Sequence, residues 1–422
     1  MESKRHRICI LGVTVSGNKG GEAMLYSIMH NMERLAGPCV YDLISVYPAQ
    51  DRRRRLPANL RIVAGKALTM LGFVLPVTLV AWPLRRLAIV RRCVGGLPVF
   101  RSIRRADVVI DCSGIAFMDG RGAALLLYNL SLCLPAVLLG RPIIKVAQAL
   151  GPFERSLNRC CARLALRRMD RVIARGATTG EHLRQLGLTN YEVCADTAFV
   201  MPVGAAATAE AVDILRAAAS GRDLVGLSPS TVVDDACRGR GVDYAGILAR
   251  FAEDLVEQGY GVVLIPHSIR PLATTRKNND ILVCRAVIER MKSDRHVLLV
   301  DRDLDAGALR ALIGRMRFCV VSRFHAMVSA LAVKTPLLLI GWSHKYREVM
   351  RMFDLEDLAM GYEELSPAAL ADRFARLVAA EAAVRAKLED RLPAAEAGAM
   401  RNFERAVELM RGGDSGGRAN CE

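Results

Sequence analysis

Short apolar runs alternate with helix-length stretches along this chain, and that alternation limits its fold more than any other feature. The runs RICIL (7–11), DVVID (107–111), IIKVAQA (143–149) and RVIA (171–174) read as strands, each followed by a helical segment. Residues 202–220, PVGAAATAEAVDILRAAAS, are small and alanine-rich. Beyond them the alternation restarts with runs at 224–227, 262–265 (VVLI), 297–300, 318–321 (FCVV) and 337–340 (LLLI). Strand–helix–strand units of this length predict parallel sheets covered on both faces.

A chain of 422 residues that is 52% hydrophobic exceeds the usual size of one core. The expected organisation is an α/β pair of domains. Residues 1–205 form the first, with a basic and apolar insertion near 51–105, and 206–365 the second. Closing helices at 366–411 and a disordered tail at 412–422 (GGDSGGRANCE) follow.

The net charge of +16 favours an anionic partner. The excess is local: residues 51–105 hold thirteen Arg or Lys, including Arg52 to Arg55, against one acid, Asp51. Within them, ALTMLGFVLPVTLVAW (67–82) is flanked by Lys66, Arg85 and Arg86. Sixteen apolar residues interrupted by Pro76 are short for a membrane span, so the run reads as a re-entrant, interfacial or buried helix. A basic rim beside it suits the cytoplasmic face of an anionic membrane. An ordinary core helix with solvated arginines is the competing reading. Nucleic acid is disfavoured, because no aromatic residues interleave with the basic run. MESKRHR leads directly into a strand rather than into a cleavable apolar region, so a cytoplasmic location is expected. The twelve cysteines include no C-x-x-C pair and read as reduced, mostly buried small hydrophobes.

In open α/β sheets ligands bind outside the carboxyl ends of strands, which gives a set of candidates. GVTVSGNKGGEAML (12–25) has the Gly spacing of a P-loop at Gly12 and Gly17, but lacks the Lys-Ser/Thr pair that completes it. Lys19 and the amides of residues 17–22 suit an anion at a helix start, whereas Glu22 favours a sugar hydroxyl. Asp111 closes a strand and is followed by Ser113 and Gly114; its carboxylate is either a base or a helix cap. Arg175 and Asp196 end later strands. In the second half His267 follows LIP, and Arg323 and His325 follow FCVVS. Each histidine can hold an anion, move a proton or simply cap a helix. No His/Asp/Glu spacing matches a metal site.

In sequence order, GNKGGEAML (17–25), VVIDCSGIAF (108–117), QALGPF (148–153), VIARG (172–176), CADTAF (194–199), IPHS (265–268), SRFHAMVSAL (322–331) and IGWSHKY (340–346) resemble the polysaccharide pyruvyl transferase family. The resemblance implies two Rossmann-like domains facing a cleft, similar to the GT-B glycosyltransferases. It implies transfer of a pyruvyl group from phosphoenolpyruvate to a sugar as a ketal, on a lipid-linked or nucleotide-linked saccharide, with no cofactor and no metal. His325, in the S-R-x-H segment, is then the residue that binds phosphoenolpyruvate or donates the proton. Arg323 holds phosphate or carboxylate, and Asp111 is the base for the acceptor hydroxyl. Arg175 and His267 are anion ligands, and Asn18 and Glu22 bind the acceptor or organise the loop.

Two segments depart from the family pattern. Gly176 follows the VIAR arginine where many relatives have an acid, and Ser228-Pro229-Ser230 stands where many have S-x-R, so that a second phosphoenolpyruvate-binding arginine is either absent or supplied from elsewhere. A nucleotide-sugar glycosyltransferase and a non-catalytic membrane-surface subunit of polysaccharide assembly are the competing functions.

Overall fold

The computed structural model describes residues 5–216, 221–269, 278–341 and 344–412. The chain divides into two compact units. Unit 1 comprises Met1–Ser16, Met24–Thr197 and Ala397–Glu422; unit 2 comprises Gly17–Ala23 and Ala198–Glu396. The division therefore falls at Thr197 rather than near 205, and the end of the C-terminal helix returns to unit 1. The glycine-rich loop, expected in the first domain, belongs with unit 2, so the helix Lys19–Ala36 contributes its first turn to unit 2 and the remainder to unit 1. Apart from Gly412, which closes the helix Glu381–Gly412, the tail at 412–422 lies outside the described residues.

Among its described residues, unit 1 carries eight strands: β1 (His6–Leu11), β2 (Cys39–Ser45), β3 (Leu60–Ala64), β4 (Val108–Asp111), β5 (Ile115–Ala116), β6 (Ile143–Leu150), β7 (Arg171–Arg175) and β8 (Tyr191–Cys194). Their order is β3-β2-β1-β4-β6-β7-β8, with β5 beside β6, and every pairing is parallel. β4 and β6 are buried along their whole length, as a sheet covered on both faces requires. β3 lies inside the basic insertion, where the pattern showed no strand. Arg61 interrupts its apolar run but faces outward and pairs with Asp42 of β2 at 2.6 Å.

The apolar run of the insertion is a continuous helical stretch, Ala67–Leu84. Met70, Val74, Leu75 and Ala81 join the unit 1 core with Phe100, Leu126 and Leu130. One face is therefore docked on the protein, while Leu68, Leu79, Val80 and Leu84 on the rest of the stretch are exposed.

Unit 2 carries β9 (Leu224–Ser228), β10 (Gly261–Leu264), β11 (Val297–Leu299), β12 (Phe318–Val321), β13 (Leu337–Gly341) and β14 (Ala359–Gly361) in the order β11-β10-β9-β12-β13-β14, all parallel. Phe251, Tyr260 and Phe318 each meet Phe374 edge-on at 5.3–6.2 Å, joining helix Pro367–Ala379 to this core. Two Rossmann-like domains are thus present. All described cysteines are free, and Cys93 and Cys160 are exposed while most others are buried.

Candidate active site

In unit 2 the strand order reverses between β9 and β12, which opens a crevice outside their carboxyl ends. Arg323 follows β12 there as the cap residue of helix Phe324–Ala332. Its Nε and Nη2 grip both oxygens of Asp280, at 2.8 and 2.5 Å, and Nη2 also reaches Thr231 Oγ1 at 3.1 Å. Asp280 is fully buried and accepts the Thr231 N–H at 3.0 Å as well. Burial works against the charge of the guanidinium, and Asp280 more than offsets it, so Arg323 stays a rigid cation.

His325 sits in the first turn of the same helix, against Gly20 of the glycine-rich loop. A Cβ built on Gly20 would lie 2.0 Å from His325 Nδ1, so any side chain there must displace the imidazole. His267, beyond β10, is buried with a pKa pushed down to about 3, first by burial and then by His325, Arg323 and Lys19. It is neutral at physiological pH. Among the described residues, neither its Nδ1 nor the buried Ser228 Oγ at the end of β9 has a hydrogen-bond partner.

The loop is pinned to this rim. Asn18 forms an antiparallel bridge with Ser268, and the Ile269 N–H donates to the Gly17 carbonyl at 3.2 Å. Three of the amides suggested as an anion cradle are occupied: Lys19 N–H donates to the His267 carbonyl, Gly20 N–H to Asn18 Oδ1, and Glu22 N–H to the Asn18 carbonyl. Asn18 thus organises the loop. Lys19 is buried between Glu22 at 3.1 Å and Asp303 at 2.7 Å, so its charge is neutralised within the rim.

Unit 1 holds a second buried polar cluster. Asp111 ends β4, is fully buried, and pairs with Lys145 while accepting the Ser113 hydroxyl at 2.6 Å and the Ser113 N–H at 3.0 Å. Burial pushes this carboxyl up, but Lys145 and Ser113 together hold it below the usual carboxylate range. Lys145 Nζ also meets Gln148 Oε1 at 3.2 Å. Residues three apart on a strand would face opposite ways, and the register irregularity between Lys145 and Gln148 lets both reach Asp111. Gly12, at φ +81°, packs so tightly on Ser113 that a Cβ would lie 2.2 Å from its Oγ. Arg175 pairs with Asp196 at 2.8 Å and reaches the Gly114 carbonyl at 3.4 Å.

The candidates therefore fall into two sets: Lys19, Asn18, Glu22, His267, Arg323 and His325 in unit 2, and Asp111, Ser113, Gly114 and Arg175 in unit 1. The family model for polysaccharide pyruvyl transferases matches residues 18–344, spanning residues of both sets. The chain belongs to the polysaccharide pyruvyl transferase family. A member of this family is a transferase, with a role in polysaccharide modification. The chain is similar to the amylovoran biosynthesis protein AmsJ of Erwinia amylovora, at 22% identity over 85% of this chain and 89% of that protein. In fold it is similar to a putative UDP-N-acetylglucosamine 2-epimerase of Listeria monocytogenes, with a TM-score of 0.60, 11% identity and 99% of each chain covered. S. aureus MnaA, solved with UDP, gives a TM-score of 0.61 at 11% identity, over 99% of this chain and 100% of that one.

Four residues of these clusters were absent from the sequence candidates. Asp280 and Asp303 lie in polar stretches that mark them as nothing more than loop or cap residues. Lys145 had a signal, since a lysine inside IIKVAQA needs a buried partner. Lys345 is buried against the Phe324 and Tyr346 rings, at 5.7 and 5.4 Å from their centroids, and Phe324 in turn meets the His325 ring edge-on.

Proposed function

We propose that this transferase moves the pyruvyl group of phosphoenolpyruvate onto two hydroxyls of a sugar in a surface polysaccharide or its lipid-linked precursor. The observation that carries this reading is the unit 2 rim. There a locked arginine and two histidines follow the carboxyl ends of neighbouring strands of a parallel sheet, and His267 Nδ1 and Ser228 Oγ supply buried polar atoms for a ligand. Family membership supports this reaction; the rim has the charge and the proton carriers that the chemistry needs.

In this reaction the methylene carbon of the donor gains a proton and becomes a methyl group. A sugar hydroxyl oxygen bonds to the adjacent carbon, the carbon–oxygen bond to phosphate breaks, and phosphate departs. A second hydroxyl closes the ketal. The two hydroxyls release two protons, which balance the one gained by carbon and the one that leaves with phosphate. His325 is assigned as the proton donor. Arg323, with its inner edge fixed by Asp280, presents its charge to the donor's phosphate or carboxylate. Neutral His267 binds an oxygen edge without adding charge. Ser230 is spent capping the next helix by accepting the Val232 N–H at 3.2 Å, and Lys345, held against the Phe324 ring that meets His325, is assigned to the cation role that the Ser228-Pro229-Ser230 segment leaves unfilled.

In unit 1, Asp111 is assigned to holding Lys145 in place rather than to accepting a proton, because both its oxygens are engaged and its carboxyl is held ionised. The donor brings the transferred group, so no cofactor is required. The reaction is assigned to the cytoplasm, with acceptor delivered on lipid. Titration calorimetry with phosphoenolpyruvate and with UDP tests the donor. Saturable binding of phosphoenolpyruvate that weakens in Arg323→Lys is expected; saturable binding of UDP alone would sink the proposal in favour of a nucleotide-sugar transferase.

A further inference from the structure

Unit 1 carries a surface that the transfer reaction does not use. Leu68 and Val80 of the insertion helix are 86% and 79% exposed, and Leu79, Leu84 and Ile89 are exposed beside them. The stretch Ala67–Leu84 is long and apolar enough to cross a bilayer, yet Met70, Val74 and Ala81 hold one face in the unit 1 core. A helix docked in this way cannot span a membrane without abandoning that packing, but its outer side is free to lie on one.

The charges around this apolar strip point to its occupant. Lys66, Arg86 and Arg92 are exposed at its border. A second helix, Ser156–Leu166, extends the pattern with Leu157 exposed between Arg155 and Arg159 and Leu164 between Arg163 and Arg167. Trp82 joins the two elements, since its ring lies 5.1 Å from the Arg85 guanidinium and 5.8 Å from that of Arg168. Apolar side chains bordered by arginines, with a half-buried tryptophan between them, match the depth profile of a bilayer interface. In a face-to-face pair of copies the same arginines would oppose one another.

We infer that the insertion helix and helix Ser156–Leu166 form one docking face for an anionic lipid bilayer, with the leucines and valine entering the interface and the arginines meeting headgroup phosphates. This holds whatever group the enzyme transfers. A failure of acceptor-dependent phosphate release would leave it standing, and its own failure would leave the chemistry untouched.

Co-sedimentation of the full chain with phosphatidylcholine vesicles, with and without phosphatidylglycerol, tests it. Binding to the anionic vesicles is expected, weakened by salt and at least about tenfold weaker in Leu79→Glu/Val80→Glu. Arg86→Glu/Arg92→Glu should lose the preference for phosphatidylglycerol. Circular dichroism melts of both variants should match the parent, because the replaced side chains are exposed. Absence of vesicle binding by the parent, or equal binding by folded Leu79→Glu/Val80→Glu, overturns the inference. So does a stable dimer in sedimentation velocity that Leu79→Glu/Val80→Glu splits and that does not bind vesicles.

Discussion

Gly20 and His325 approach so closely that a methyl group on Gly20 would lie 2.0 Å from the imidazole Nδ1. The glycine-rich loop therefore acts as a wall for a side chain more than three hundred positions away in sequence. Gly20→Ala should fold, since alanine is the better helix former. It should lose about 100-fold in turnover, because it pushes the proposed proton donor out of line. Turnover equal to that of the parent would remove His325's position, and with it its assigned role, from the mechanism.

His267 ties stability to pH. Its folded pKa of about 3 lies below the ordinary histidine value of 6.5, so the unfolded chain binds more protons as the pH falls through 6.5. The stabilising contribution is complete above pH 6.5 and declines towards pH 3. At pH 5 the loss is about 2 kcal/mol relative to neutral pH. Urea melts of the parent and His267→Gln at pH 7.5 and 5 check this: the variant should lack that part of the pH dependence. An identical slope in both proteins would refute it.

Lys145 neutralises Asp111 deep in the unit 1 sheet. Lys145→Met leaves a buried carboxylate without its cation and should cost about 3–5 kcal/mol in denaturant unfolding. The double variant Asp111→Leu/Lys145→Met should recover much of that loss, since neither charge then remains. Additive losses would mean that the two residues act separately.

Arg323→Lys keeps the charge but cannot grip both oxygens of Asp280. Phosphoenolpyruvate binding should weaken at least about tenfold, and Asp280→Asn should produce a loss of the same kind through the loosened guanidinium. Unchanged affinity in both variants would separate Arg323 from the donor.

Most strands were legible from their apolar runs: β12 is uninterrupted and could be read to the residue, and β6 almost so despite Lys145 and Gln148. β3 was hidden by Arg61 and by its basic surroundings, since an edge strand may place a charged residue outward without losing its pairing. The strand-end rule found His267, Arg323 and His325, which do share a rim. It could not show that the stretch from Gly17 to Ala23 joins unit 2, because that grouping rests on a backbone pairing between Asn18 and Ser268. Nor could it reveal what holds the site residues. Asp280 and Lys145 act through contacts 43 and 34 positions distant, and no local pattern records them.

Pyruvyl transfer is read out by phosphate release from phosphoenolpyruvate in the presence of the host's pyruvate-free glycan precursor. Release is expected only when both compounds are present, with ketal-linked pyruvate on the product, and it should be lost in folded His325→Ala. Release that ignores the acceptor, an acceptor left unmodified, or full activity in His325→Ala would contradict it.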